Sequence, residues 1–318
     1  MATDKSLGDL CSPPWTFMGV PHSHDLAQAK AAVLGIPFDC GVHPFRIGSR
    51  QGPQAIREQS RLMRPYNPEL SDFNPMERLG LVDCGDVRVV PSRIVEAFES
   101  IEAAVGLILD KGAVPLTMGG DGSVSYPQLR AAGRRFPGLA VVHLDSHTDT
   151  TPPRPESEHN AGTQFYRAAS EGLIDPAASY HIGLRGTTYL PNGFPRTRGL
   201  GYQLITCSEL FDRGIPAVLR ELHDALRGRP VYLCVDMDVF DPSCAPGVAA
   251  PSWGGLSARE GIGFLRGLSG LNVVLADVNT VSPPHDVNGM TAFLASALMY
   301  EIQVLLCRYM GLDSADPS

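Results

Sequence analysis

The chain has 318 residues, 43% of them hydrophobic and 19% charged, and a formal net charge of −8. That length fits one large domain or two small ones, and the apolar share supplies a core rather than a disordered chain. The acidic balance, with no run of Lys or Arg, argues against a nucleic-acid surface. No apolar stretch is expected to reach the roughly 18–20 residues of a membrane span.

Residues 1–28 read as an irregular N-terminal arm, and 29–318 as a single domain, since no linker or repeat divides them. The arm lacks the basic-then-apolar layout of a signal peptide. Seven cysteines are scattered singly with no CxxC pair, so neither a disulfide framework nor a zinc knuckle is indicated. A soluble cytoplasmic protein is the simplest reading.

From there, buried strands are predicted at "AAVLGIPFD" (31–39), "AVPLTMGG" (113–120), "LAVVHLDSH" (139–147), "YHIGLRG" (180–186), "YQLIT" (202–206), "VYLCVDMDVF" (231–240) and "NVVLADVN" (272–279). Helical spacing falls between them at 52–63, 92–112, 214–228 and 258–268, and residues 289–311 form a long apolar helix expected to pack on the sheet. Residues 64–78 and 150–160 read as Pro-rich loops. Continuous apolar strands alternating with helices imply an α/β fold with a mainly parallel sheet covered on both faces. In such folds ligands bind at the carboxyl ends of strands.

Two strands end in carboxylates. "HLDSHTD" places Asp145, His147 and Asp149 at i, i+2 and i+4, and "CVDMDVFDP" places Asp236 and Asp238 at i, i+2. In extended chain each set shares one face. A single strand-end Asp commonly caps a turn. Four carboxylates and an imidazole converging at one sheet edge need a cation, and that donor mixture suits Mn²⁺ better than a thiolate-rich zinc site.

At these residues the chain resembles the arginase/agmatinase (ureohydrolase) family, over about residues 30–310. "GSRQGPQAIRE" (48–58), "RPYNPEL", "VDCGDV", "HLDSHTDT", "VDMDVFDPSCAPG" and "DVNTVSPPHD" occur in the family's order. The resemblance implies a three-layer α/β/α sandwich. It also implies hydrolysis of a guanidinium C–N bond at a pair of Mn²⁺ ions sharing a water, and a homo-oligomer, a trimer or hexamer. Carried over by position, Asp145 and Asp236 would bridge the two metals. His147 and Asp238 would complete one shell, and Asp149, also a catalytic candidate, would belong to the other.

Three positions depart from that pattern. Gly122, in "GGDGS", stands where the family has a histidine ligand of the first metal. Ala161, in "NAGTQF", stands where the family has a proton-shuttle histidine. Thr280, in "TVSPP", stands where the family has the carboxylate that pairs with a guanidinium. A planar cation wants a bidentate carboxylate, so the substrate class shifts toward an amidine, amide or altered guanidino compound. The segment "APGVAAP" (245–251), more like that of formimidoylglutamase-like members, points the same way.

Without the first histidine, one Mn²⁺ ion held by Asp145, His147, Asp236 and Asp238 is the expectation, with two still open. Asp149 is then expected to take up a proton or recruit a cation. His159 is the replacement proton-shuttle candidate. Asn160, Thr280 and His285 are the substrate-binding candidates, with His285 also weighed as a shuttle or ligand. His143 reads as packing, and Cys234 and Cys244 as core and loop residues. The alternatives to a divergent hydrolase are a non-catalytic binding or partner protein of the same fold, or a member repurposed for another reaction in specialised metabolism.

Overall fold

The structure is a computed structural model that describes residues 15–41, 45–70, 72–155 and 157–314. Eight strands are present among them: β1 Ala31–Gly35, β2 Val82–Asp86, β3 Val114–Met118, β4 Ala140–Leu144, β5 Tyr180–Leu184, β6 Gln203–Thr206, β7 Pro230–Asp236 and β8 Asn272–Asn279. They form one sheet in the order β2-β1-β3-β8-β7-β4-β5-β6, and every pairing is parallel. All residues of β1, β3, β4 and β5 are buried, as expected for strands covered on both faces.

Alternate residues divide between two cores. Ala31, Val33, Ala140, Val142 and Leu144 face one side, where Ile56 and the helix Met290–Tyr309 pack. Ala32, Leu34 and Val141 face the other, with Phe98, Ile101, Val105 and Leu129. The result is the expected α/β/α sandwich. Several helices begin at a local signal. Ala258–Gly267, for example, starts with a capping box between Ser257 and Glu260.

The structure corrects several boundaries. β1 stops at Gly35 rather than residue 39, and β4 at Leu144 rather than residue 147. Strand β2 was not among the predicted strands, because "VDCGD" is polar and only partly buried at the sheet edge. The loop expected over 64–78 carries a short helix, Pro75–Leu79, capped by the Asn74 side chain and opened by proline. Met290–Tyr309 also overturns the expectation that no stretch reaches membrane length. It is long and apolar enough to span, but 83% of its apolar window is buried within the fold. The described part of the arm holds the fully buried Phe17, whose backbone N–H donates to Asp83.

Candidate metal centre

The carboxyl ends of β3, β8, β7 and β4 are neighbours in the sheet, and each carries part of the site. The "GGDGS" turn follows β3, Thr280 follows β8, Asp236 ends β7 and Asp145 follows β4.

The carboxylates do not reach the site along extended strands, which corrects the shared-face expectation. Asp145 accepts the backbone N–H of His147 at 2.6 Å, and Asp149 adopts a left-handed φ of 49°. Asp236 accepts the N–H of Asp238 at 2.8 Å and caps the single turn Met237–Val239. Aspartate side chains that bond the backbone two residues on turn the chain out of a ladder. Convergence is therefore produced by turns rather than by pleat.

His147 Nδ1 lies 3.2 Å from Asp145 Oδ1 and 3.1 Å from Asp238 Oδ2. Burial alone would lower the His147 pKa, but the charges of Asp238 and Asp145 outweigh it and hold it well above the ordinary value. Burial would likewise raise Asp238, yet His147 and the backbone N–H of Ser146 hold it well below the carboxylate range. Asp145 is pushed up to about 7 by burial and by Asp238. Asp149 is raised by burial and Asp145, and Asp236 by burial, Asp238 and Asp145. The partly exposed imidazole of His147 thus offsets part of the cluster's negative charge.

The residues fit a divalent ion. Ligand atoms of Asp145, His147 and Asp238 all lie within 4.8 Å of one another, and so do those of His143, Asp145 and Asp149. That limit corresponds to ligands up to about 2.4 Å from a common centre, within the range of hard divalent cations. Asp145 Oδ2 lies 3.0 Å from His143 Nε2 yet is buried without a hydrogen-bond partner, an unsatisfied group that a cation would satisfy. His143, expected only to pack, thus borders the carboxylates. Its Nδ1 meets His181 Nδ1 at 2.8 Å, and burial lowers its pKa to about 4.

Thr280 is buried at the turn after β8 with φ 64°, a conformation that a β-branched residue adopts at a cost. Its hydroxyl donates to Asp236 Oδ1 and accepts the Met237 N–H at 3.1 Å. The other candidates are engaged locally. His159 packs edge-on to Phe98 and stacks on Tyr126, and no hydrogen bond joins it to the metal-site carboxylates. Asn160 accepts the Gly162 N–H at 2.8 Å and donates to Ser157, shaping its own loop. His285 Nδ1 bonds Ser282 Oγ at 2.9 Å. Cys234 is fully buried, and burial pushes its thiol well up, against a nucleophilic role.

Two residues not singled out from sequence also build the site. Asp121 is buried, with its pKa raised to about 6 by desolvation, and accepts the backbone N–H groups of Cys40 and Gly41 at 2.7 and 3.2 Å. It ties the segment after β1 to the "GGDGS" turn. Gln164 begins the helix Gln164–Ser170, and its amide Nε2 donates to Asp149 Oδ2. "NAGTQF" contains this residue, but nothing local marks its partner.

A model of the arginase family matches residues 29–304. Guanidinopropionase of Pseudomonas aeruginosa is 37% identical over 292 residues, covering 92% of this chain and 91% of that protein. The solved structure of proclavaminate amidinohydrolase from Streptomyces clavuligerus matches with a TM-score of 0.87 at 35% identity, covering 94% of this chain and 100% of that one. Trypanosoma cruzi formiminoglutamase with Mn²⁺ matches with a TM-score of 0.82 at 28% identity, covering 91% of this chain and 97% of that one.

Proposed function

The chain belongs to the arginase family, and from that premise we propose that it is a Mn²⁺-dependent hydrolase of a linear C–N bond in an amidine, amide or altered guanidino substrate. The observation that carries this reading is the meeting of Asp145, His147 and Asp238, with a buried Asp145 oxygen that has His143 Nε2 at 3.0 Å but no hydrogen bond. Relatives named as guanidinopropionase and proclavaminate amidinohydrolase support C–N hydrolysis of a small molecule.

Asp145, His147, Asp236 and Asp238 would hold the ion, which when bound supplies Lewis acidity and a nucleophilic water at neutral pH. Thr280 positions Asp236 through its hydroxyl proton. With that proton donated and one lone pair taken by Met237 N–H, Thr280 retains a single acceptor site. It can receive one substrate N–H but offers no charge to a planar cation. Asp149 and His159 as proton carriers, and Asn160 and His285 as substrate contacts, belong to the same proposal. Burial lowers the His159 pKa, with Arg167 adding to the effect. A cytoplasmic homo-oligomer is the assembly proposed.

The test is release of ammonia or urea by the Mn²⁺-loaded protein from a panel of guanidino acids, formimino compounds and linear amides. Turnover that a chelator abolishes is expected. A chain that takes up no ion and hydrolyses nothing would instead be a non-catalytic member of the fold.

A further inference from the structure

The glycine at 122 is not beside an open gap. A Cβ placed on Gly122 would lie 2.7 Å from Gln164 Nε2, 3.1 Å from the Ala161 carbonyl oxygen and 3.2 Å from Asp149 Oδ2. The glutamine amide occupies the space that a side chain at 122 would take. Gln164 is 1% exposed. Its Nε2 donates to Asp149 Oδ2, while its Oε1 is buried without a partner.

Backbone bonds hold the arrangement. The Phe165 N–H donates to the Asp149 carbonyl at 3.1 Å, and the Thr151 N–H to the Gly162 carbonyl at 2.8 Å. These clamp the two ends of the intervening loop, so the first residue of the helix Gln164–Ser170 lies against Asp149. The amide takes one acceptor direction of Asp149 Oδ2 and its bulk fills the space on the Gly122 side, so an ion cannot approach the carboxylate from there.

We propose that Gln164 determines the metal number of the centre. It fills the space beside Gly122, holds Asp149 through a neutral hydrogen bond, and restricts the site to one ion bound by Asp145, His147, Asp236 and Asp238. Gly122 and Gln164 are then a compensated pair: the glycine makes room, and the glutamine supplies Asp149 with a partner. This inference rests on reading the site as a metal centre.

The experiment counts ions. Wild-type protein, Gln164→Glu, Gly122→His and the double variant Gly122→His/Gln164→Ala are equilibrated with Mn²⁺ and freed of excess. Metal per chain is measured by mass spectrometry, and the coupling of the ions by electron paramagnetic resonance. Wild type is expected to hold one ion with the spectrum of isolated Mn²⁺. Gly122→His alone stays at one, because its imidazole meets the amide. Gln164→Glu keeps the size of the side chain but replaces the donor by a carboxylate, and should rise to two ions with a spin-coupled spectrum, as should the double variant. Two ions in the wild type, or one ion in both Gln164→Glu and the double variant, would overturn the role given to Gln164. No ion in any of the four would instead remove the metal-centre reading itself.

Discussion

The two halves of the site are built from the same residue types and satisfied differently. Around Asp145, His147 and Asp238 charged groups meet at close range, with His143 Nε2 3.0 Å from Asp145 Oδ2 and the Ser146 N–H on Asp238, and that Asp145 oxygen forms no hydrogen bond. Around Asp149 the carboxylate is met by a neutral amide. The first half gathers charged donors that could hold a cation. The second gives Asp149 Oδ2 a protein donor. A missing ligand can therefore mean a site closed from within rather than a site that has decayed, because a buried carboxylate must find a partner of some kind.

The contrast breaks most severely if the shared carboxylate is removed. Asp145→Asn should abolish stable Mn²⁺ binding and lower turnover on the order of 10³-fold, since an ion's Lewis acidity supplies several kcal/mol. Metal analysis and steady-state kinetics check this. Next in size is Thr280→Val. It keeps the β-branched shape at φ 64° but leaves Asp236 Oδ1 and the Met237 N–H without the hydroxyl they share. Loss of such an outer partner should weaken Mn²⁺ by about 10–100-fold, read by titration calorimetry, with the fold unchanged by circular dichroism.

A third expectation concerns pH. In the metal-free chain Asp145 is raised to about 7 by burial and Asp238, and His147 lies well above its ordinary value. A group with a raised pKa keeps its proton as pH falls, and Mn²⁺ must displace that proton to bind. Apparent affinity should therefore rise with pH through about 7 and fall below it, by up to roughly tenfold per unit for each proton released. A Mn²⁺ titration between pH 6 and pH 8 measures it. The smallest effect is Gly122→Ala. Its Cβ would press on the end of a flexible side chain, so the cost should be about 1 kcal/mol, the lower end of overpacking penalties, seen in denaturant unfolding.

The same contrast separates what the sequence reveals from what it hides. Buried strands such as "AAVLG" and "AVVHL" are legible because both faces are apolar, whereas the edge strand "VDCGD" is half polar and carries no such pattern. The acidic half of the site is legible as DxHxD and DxD, because charged residues at the ends of apolar strands demand a reason. Its geometry is not, since side-chain-to-backbone bonds from Asp145 and Asp236 replace extended chain with turns. The departures expected at Gly122, Ala161 and Thr280 come from the motif resemblance, not from the structure. What replaces the first is invisible in sequence: Gln164 reaches Gly122 only because a loop folds back on Asp149. Thr280, expected to face substrate, spends its proton on Asp236, which the spacing of "TVSPP" does not disclose.

The most direct measurement is an anomalous-difference map from a crystal grown with Mn²⁺. One peak is expected, among Asp145, His147, Asp236 and Asp238, with the Gln164 amide still against Asp149. A second peak between Asp149 and Gln164, or no peak among the carboxylates, would contradict it.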